Sequence, residues 1–351
     1  MDREEAKKMV MMWLKHPTEL GTWPQKVVFT SEFTDEDGIQ CMIFKYRKKF
    51  LSPWLLAIAS DSGIFSEMKP YHKETEREDA QDLLDFLKQY WKNQANVEKE
   101  REVAAEQAEP FQAHILLKNG AFSFAAFEQA LTAEWEVQLK SDEKSDEANA
   151  SYTADDIRLQ CSCQKTPHAQ AELMKAAKQN SAWKEAEAVV KSHTAGVHVT
   201  VCGGGSSKDR GFLFAKVITT CARMENVVGI HMNEVVYEPK FFLTLEEILK
   251  TGKLPVLDLV WIGMANGAQG TSCFTRGMKA FGKPEFEILN AAQSTAELRK
   301  MMVNITDYVI SNDAFLHHGE TIGYTGNTRL SITQSKGVNV KGSSLKITVE
   351  S

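Results

Sequence analysis

Glu285 and Glu287, two carboxylates separated by a single residue, are the pair in this chain best spaced for chemistry. In an extended segment such residues share a face at roughly 7 Å, where they can bind a metal or divide acid and base work. The same alternation in Glu285-Phe286-Glu287-Ile288 also describes a strand with a solvated carboxylate face and a core face formed by Phe286 and Ile288, and this is the expectation. His193, His198 and His231, with Glu234, form a metal-ligand set in kind. Their spacing fixes no geometry, unlike the i, i+4 pair of a helical H-E-x-x-H. His198 shares a strand face with Thr200 and Cys202, opposite Val197, Val199 and Val201, so the imidazoles meet only if their strands are neighbours. Structural histidines are the expectation. His317 and His318, beside Glu320 in a loop, read as solvated.

Gly203-Gly204-Gly205-Ser206-Ser207-Lys208-Asp209-Arg210-Gly211 follows a strand and precedes a helix. Free N–H groups at a helix start attract anions, so Gly203, Gly204, Gly205, Ser206 and Lys208 form a candidate anion loop. The spacing is neither G-x-x-x-x-G-K-[ST] nor a dinucleotide fingerprint, and a flexible strand-to-helix turn explains the glycines equally. Asp258 is the lone charge within the apolar run Val256 to Met264, where it must be paired, neutral or at an edge. No G-x-S-x-G elbow is present. The six cysteines include no C-x-x-C pair, and Cys161 and Cys163 fall on a core face with Ile157 and Leu159. Neither a metal nor a cofactor is expected.

The longer pattern around the paired carboxylates is Thr275-Arg276-Gly277-Met278-Lys279-Ala280-Phe281-Gly282-Lys283-Pro284-Glu285-Phe286-Glu287-Ile288, completed by Gly319-Glu320-Thr321-Ile322-Gly323. Gly277 and Gly282 bracket a short turn, and Pro284 suits the start of a strand. T-x-G-x-x-x-F-G-x-x-E-x-E-I, a helix, then G-E-T-I-G resembles the bacterial domain-of-unknown-function family 4261 (DUF4261). The likeness covers about residues 111 to 351 and includes Ala195-Gly196-Val197-His198-Val199-Thr200-Val201. Family members often carry Asp before the Gly where this chain has His318. The resemblance implies no activity, because the family has none established.

The elements that must position these groups read as α+β, with mixed sheets and helices outside. Residues 1–95 form a small α-β-β-β-α domain. Its opening helix turns Met9, Val10, Trp13 and Leu14 to one side, and Asp37-Gly38 marks a hairpin between strands at Lys26 to Thr30 and Ile39 to Tyr46. A third strand runs from Trp54 to Ala59. Thr75 and Glu78 cap a helix carrying Ala80, Leu83, Leu84, Phe86, Leu87, Tyr90 and Trp91. Residues 96–110 are a helical linker stopped by Pro110. Residues 111–351 form the third region, with two ferredoxin-like halves expected. Within it, Ser141 to Ser151 reads as an acidic loop, Val227 to Val236 as one strand and Val256 to Met264 as a central strand. Thr244 with Glu247 and Ser294 with Glu297 read as helix caps.

Of the 351 residues, 43% are hydrophobic and 25% charged, ordinary values for a soluble globular protein. The net charge of -6 argues against a nucleic-acid binder. No apolar run approaches the roughly twenty residues of a membrane span, and the charged start is unlike a signal peptide. The expectation is a cytoplasmic, non-catalytic protein that binds another protein, in an immunity-like or bacterial-conflict role. The acidic loop and acidic balance would suit a basic partner. The alternative is a small-molecule or metal-binding enzyme with its site in the cleft of the C-terminal domain.

Overall fold

Ala6, Val10 and Leu14 recur every four residues, so helix α1 (Arg3–Lys15) turns one fully buried stripe toward a sheet. The Asp2 side chain accepts from the Glu4 and Glu5 N–H groups at its start, and His16 before Pro17 ends it. Met9 and Trp13, expected on the buried side, stand 41% and 40% exposed, because the stripe follows the 6-10-14 row. The computed structural model describes every residue except 1, 18, 36, 61–62, 142–145, 147, 166–169, 325–327 and 351.

The chain divides into two compact units, Met1–Glu98 and Lys99–Ser351. The first holds an antiparallel sheet in the order β1 (Lys26–Thr34), β2 (Gln40–Arg47), β3 (Leu55–Ser60), β4 (Gly63–Pro70). β3 is buried along its whole length because both faces are covered. Leu55, Ala57 and Ala59 meet Val10 and Leu14, while Leu56 and Ile58 meet Ala80, Leu83 and Leu84 of helix α2 (Glu76–Gln107). Each such Leu or Ile contributes about 1.5–3 kcal/mol by leaving water. The expected three strands are four: β4 follows β3 directly, and its mixed sequence GIFSEMKP carries no clear alternation. Thr75 donates to Asp79 rather than pairing with Glu78, and Phe86 is exposed. The side chains of Tyr90 and Trp91 lie outside the described residues.

The second unit begins β5 (Phe111–Leu117), α3 (Phe124–Trp135), β6 (Lys140–Ser141), β7 (Asn149–Ala154), β8 (Ile157–Gln164), α4 (Gln170–Ala177), α5 (Ala186–Ser192), β9 (Ala195–Gly203), α6 (Ser207–Ala222), β10 (Val227–Met232) and β11 (Val235–Tyr237). These strands form an antiparallel sheet in the order β11-β10-β5-β9-β8-β7-β6. β5, β8, β9 and β10 with α3 and α6 make a ferredoxin-like half. α4 and α5 lie between β8 and β9 and cover Leu116 and Val236 on the opposite face. The expected Val227 to Val236 strand is a hairpin, turned by Asn233 and Glu234 at φ 51 and 60. Of the expected acidic loop, residues 142–145 and 147 lie outside the described residues, and β7 begins at Asn149.

α7 (Pro239–Lys250), α8 (Val256–Leu259), β12 (Trp261–Gly267), β13 (Gly270–Arg276), a 3₁₀ turn (Met278–Phe281), β14 (Glu285–Ala291), α9 (Thr295–Ser311), β15 (Thr321–Gly323), β16 (Arg329–Lys336) and β17 (Ser343–Glu350) complete the unit. The second sheet runs β12-β13-β14-β17-β16-β15, two meanders joined by the parallel pair β14–β17. The second half is therefore not ferredoxin-like. Nor is Val256 to Met264 a central strand: Pro255 caps one helical turn, and the strand starts at Trp261 on the sheet edge. Its apolar character comes from burial of α8 and packing of α9 on β12. The cap expected at Thr244 is inside α7, which starts at Pro239 in its first turn. Ser294 and Glu297 form the expected capping box.

Both sheets share one core, crossed by α6, whose buried residues lie on every side of the helix. Gly282 (φ 69) ends the 3₁₀ turn where a Cβ would strike the Ala104 carbonyl oxygen. Gly282→Ala is expected to lower the stability of this unit by about 2–4 kcal/mol, measured by urea unfolding.

Candidate functional site

Thr275, Glu285 and Glu287 turn the end of β13 and the start of β14 into a junction of hydrogen bonds. The Thr275 hydroxyl donates to Glu285 Oε2 at 2.7 Å and accepts from the Phe286 N–H at 2.8 Å. Glu285 Oε1 accepts from the N–H groups of Gly277 (2.9 Å) and Met278 (3.2 Å), fixing the turn that Gly277 enters at φ 118. A Cβ at Gly277 would strike the Leu259 carbonyl oxygen. Glu287 accepts from Val338 N (3.0 Å), Asn339 N (2.6 Å) and Ser344 Oγ (2.6 Å), and pairs with Lys346 Nζ at 2.9 Å.

The two carboxylates are thus 5% and 0% exposed, not the solvated face expected. The reason is that Thr275 and the 277–278 turn supply donors to Glu285, while residues 338–339 and β17 supply them to Glu287. Burial pushes the Glu285 carboxyl above its ordinary range despite donors from Thr275, Gly277 and Met278. Burial acts the same way on Glu287, but Ser344, Asn339 and Lys346 outweigh it and hold that carboxyl low. Both side chains are committed to the fold.

The register of β10, β5 and β9 places His231 opposite His114 and His114 opposite His198. The rings stack across the sheet, with centroids 5.9 Å apart for the first pair and 4.4 Å for the second. Among the described residues no group of three or more His, Cys, Asp or Glu side chains is arranged to hold a metal.

His114 and His231 open into a cleft of about 490 Å³, within the range of small-molecule sites. Arg276, Lys279 and Lys341 also line it, as do Glu109 and Glu234, and Lys279 Nζ lies 3.8 Å from Glu109 Oε1. Arg276 Nη1 lies 3.5 Å from Glu234 Oε2, Lys341 pairs with the same carboxylate, and Arg276 also donates to the Asn339 carbonyl. These partners hold the Glu234 carboxyl below its ordinary range against burial, which alone would raise it. Glu234 reaches this place from a left-handed backbone, a conformation that costs a non-glycine residue on the order of 1 kcal/mol or more. Asn233, its neighbour, donates to the Leu259 carbonyl at 2.7 Å. No serine, threonine, cysteine or tyrosine lines the cleft among the described residues.

Of the residues singled out in the sequence, His231, Glu234 and Glu285 reach this cleft, and His198 adjoins it through His114. The others are elsewhere. His193 is buried at the end of α5, its Nδ1 2.6 Å from the Val190 carbonyl oxygen. Glu320 accepts from the His317 N–H, and its other oxygen is 2.8 Å from His317 Nδ1, whose Nε2 meets Glu100 at 2.8 Å. The glycine loop turns its carbonyls inward: Arg210 Nη1 donates to the oxygens of Gly203 and Gly205 at 3.1 and 3.0 Å. The start of α6 is closed by a Ser206–Asp209 capping box, and Lys208 donates to the Ser311 carbonyl. Its own carboxylate thus occupies the place an anion would take. His114, Arg276 and Lys341 were missed. Each is ordinary in sequence, and only the pairing of β5 with β10 and the turns around β14 bring them together.

Asp258 lies in α8, 2% exposed, with no hydrogen-bond partner for either carboxyl oxygen among the described residues. Burial pushes it up to about 8, so the acid is neutral at pH 7 in the folded chain. The unfolded chain loses this proton near 3.8. Between those values the folded state binds the extra proton, so stability falls as pH rises from about 4 to about 8. Asp258→Asn removes this dependence. The variant is expected to melt above the parent at pH 7–8 and to approach it near pH 4, as thermal unfolding across pH would record.

The family described as Domain of unknown function (DUF4261) matches residues 274–348, from the last residues of β13 into β17. This takes in both pinned carboxylates, Arg276, Lys279 and Lys341, and is the final part of the stretch over which the motif suggested a likeness. No curated protein and no solved structure matches the chain. Over residues 274–348 the chain is similar to the DUF4261 family.

Proposed function

We propose that the Lys99–Ser351 unit is a non-catalytic binding module whose cleft takes a small molecule bearing a carboxylate or phosphate. The observation that carries this reading is the convergence of His114, His231, Arg276, Lys279 and Lys341 on one cleft of about 490 Å³. Guanidinium and ammonium groups held by separate elements give an anion several donors without new ordering of the chain. The histidines are the groups there suited to exchange a proton.

The expected protein partner remains a second reading, in an immunity-like role in the bacterial cytoplasm. It is supported by a groove of about 670 Å³ between α9 and β15, lined by Tyr308, Phe315, Leu316, Ile322 and Tyr324. Tyr308 is 55% exposed there, in keeping with aromatic anchors at protein interfaces.

A thermal-shift screen with inorganic phosphate, phosphorylated metabolites and dicarboxylates tests the first reading. Binding at a hundredfold excess over Kd would stabilise the chain by about 2.7 kcal/mol. Arg276→Met and His114→Ala are each expected to weaken the hit about tenfold or more, read by calorimetric titration. A flat response across the panel sinks the reading, as would hits that both variants bind unchanged. Tyr308→Ala should leave such a hit intact and disrupt only a protein complex.

A further inference from the structure

Leu51 and Phe50, at 92% and 70% exposed, are neighbours at the tip of the β2–β3 loop and the most exposed large apolar side chains among the described residues. They sit in Lys45-Tyr46-Arg47-Lys48-Lys49-Phe50-Leu51-Ser52-Pro53-Trp54, a stretch with four cations and no carboxylate. The tip is a built feature. Arg47 Nη1 donates to the Phe50 carbonyl at 2.9 Å and Nε to Gln25 Oε1 at 2.7 Å. The Arg47 guanidinium lies 5.1 Å from the Phe50 ring centre and 4.8 Å from that of Trp54. Lys45 stands over Trp54 and Tyr71, the Ser52 N–H donates to the Lys49 carbonyl, and Lys48 and Lys49 are exposed. At the same end of the sheet, where Gln25 N–H donates to the Arg47 carbonyl, Trp23 is 53% exposed.

We propose that this loop is a peripheral membrane contact, inserting Phe50 and Leu51 into an anionic lipid surface while the exposed Lys48 and Lys49 meet its phosphates and Arg47 and Lys45 hold the tip. Two features favour lipid over a protein partner. The apolar pair is a convex tip, whereas a stable protein interface needs about 800 Å² from each side; a fluid surface closes around a protrusion. The charge is complementary and local: the chain is acidic as a whole (-6), but screening over roughly 8–10 Å leaves the loop's positive field to act on a nearby surface. No helix among the described residues is long and apolar enough to cross a membrane. Contact through this loop requires none, and a single small insertion gives reversible attachment.

Flotation of the full chain with vesicles tests this, using phosphatidylcholine alone and phosphatidylcholine with about a third phosphatidylserine. The chain is expected to float with the anionic vesicles, less so as salt rises, and not with phosphatidylcholine alone. Phe50→Ser with Leu51→Ser should abolish flotation with the charge unchanged. Each of Lys48→Gln and Lys49→Gln should weaken it about fivefold. All four side chains are exposed, so circular dichroism melts should match the parent. Absence of flotation, or flotation unchanged in the serine variant, overturns the proposal. A concentration-dependent dimer in sedimentation that the serine variant abolishes also overturns it, because a second copy would then be the occupant.

Discussion

Two buried carboxylates on one strand organise the C-terminal unit. Unpaired, each would carry a desolvation penalty of several kcal/mol; here each is matched by donors from a different loop. Glu285 takes N–H groups from the 277–278 turn, and Glu287 takes them from 338–339 together with Ser344 and Lys346. The arrangement is a pair of pins set in β14. One pin fixes the turn carrying Arg276 and Lys279, and the other fixes the loop carrying Lys341. Arg276 bridges the two by donating to the Asn339 carbonyl. The cationic residues of the cleft therefore inherit their geometry from these two carboxylates.

The motif glycines follow from the same constraint. A turn tight enough to present two consecutive N–H groups to Glu285 enters at φ 118, and it packs against the Leu259 carbonyl with no room for a side chain. Glycine at 277 and a carboxylate at 285 thus answer to one requirement.

The sequence made the local rules legible. Ser294 with Glu297 and Pro110 after α2 are nearest-neighbour effects, and the helices stand where those residues put them. Burial of β14 on both faces was not legible, because alternation of Glu with Phe and Ile looks the same whether the polar face meets water or a second layer of donors. Val256 to Met264 misled for a related reason: an apolar run reports burial, not period. The alignment of His231, His114 and His198 depends on the register of three strands far apart in sequence, and no spacing within one strand encodes it.

α8 joins the core to the cleft. Its Leu259 carbonyl accepts from Asn233 Nδ2 and is the atom Gly277 packs against, so one oxygen sets both the hairpin bearing Glu234 and the turn bearing Arg276. One residue earlier, Asp258 faces a core in which Tyr237 Oη also has no hydrogen-bond partner among the described residues. A neutral acid can remain there; a carboxylate in the same place would need a donor or water that the surrounding side chains do not supply.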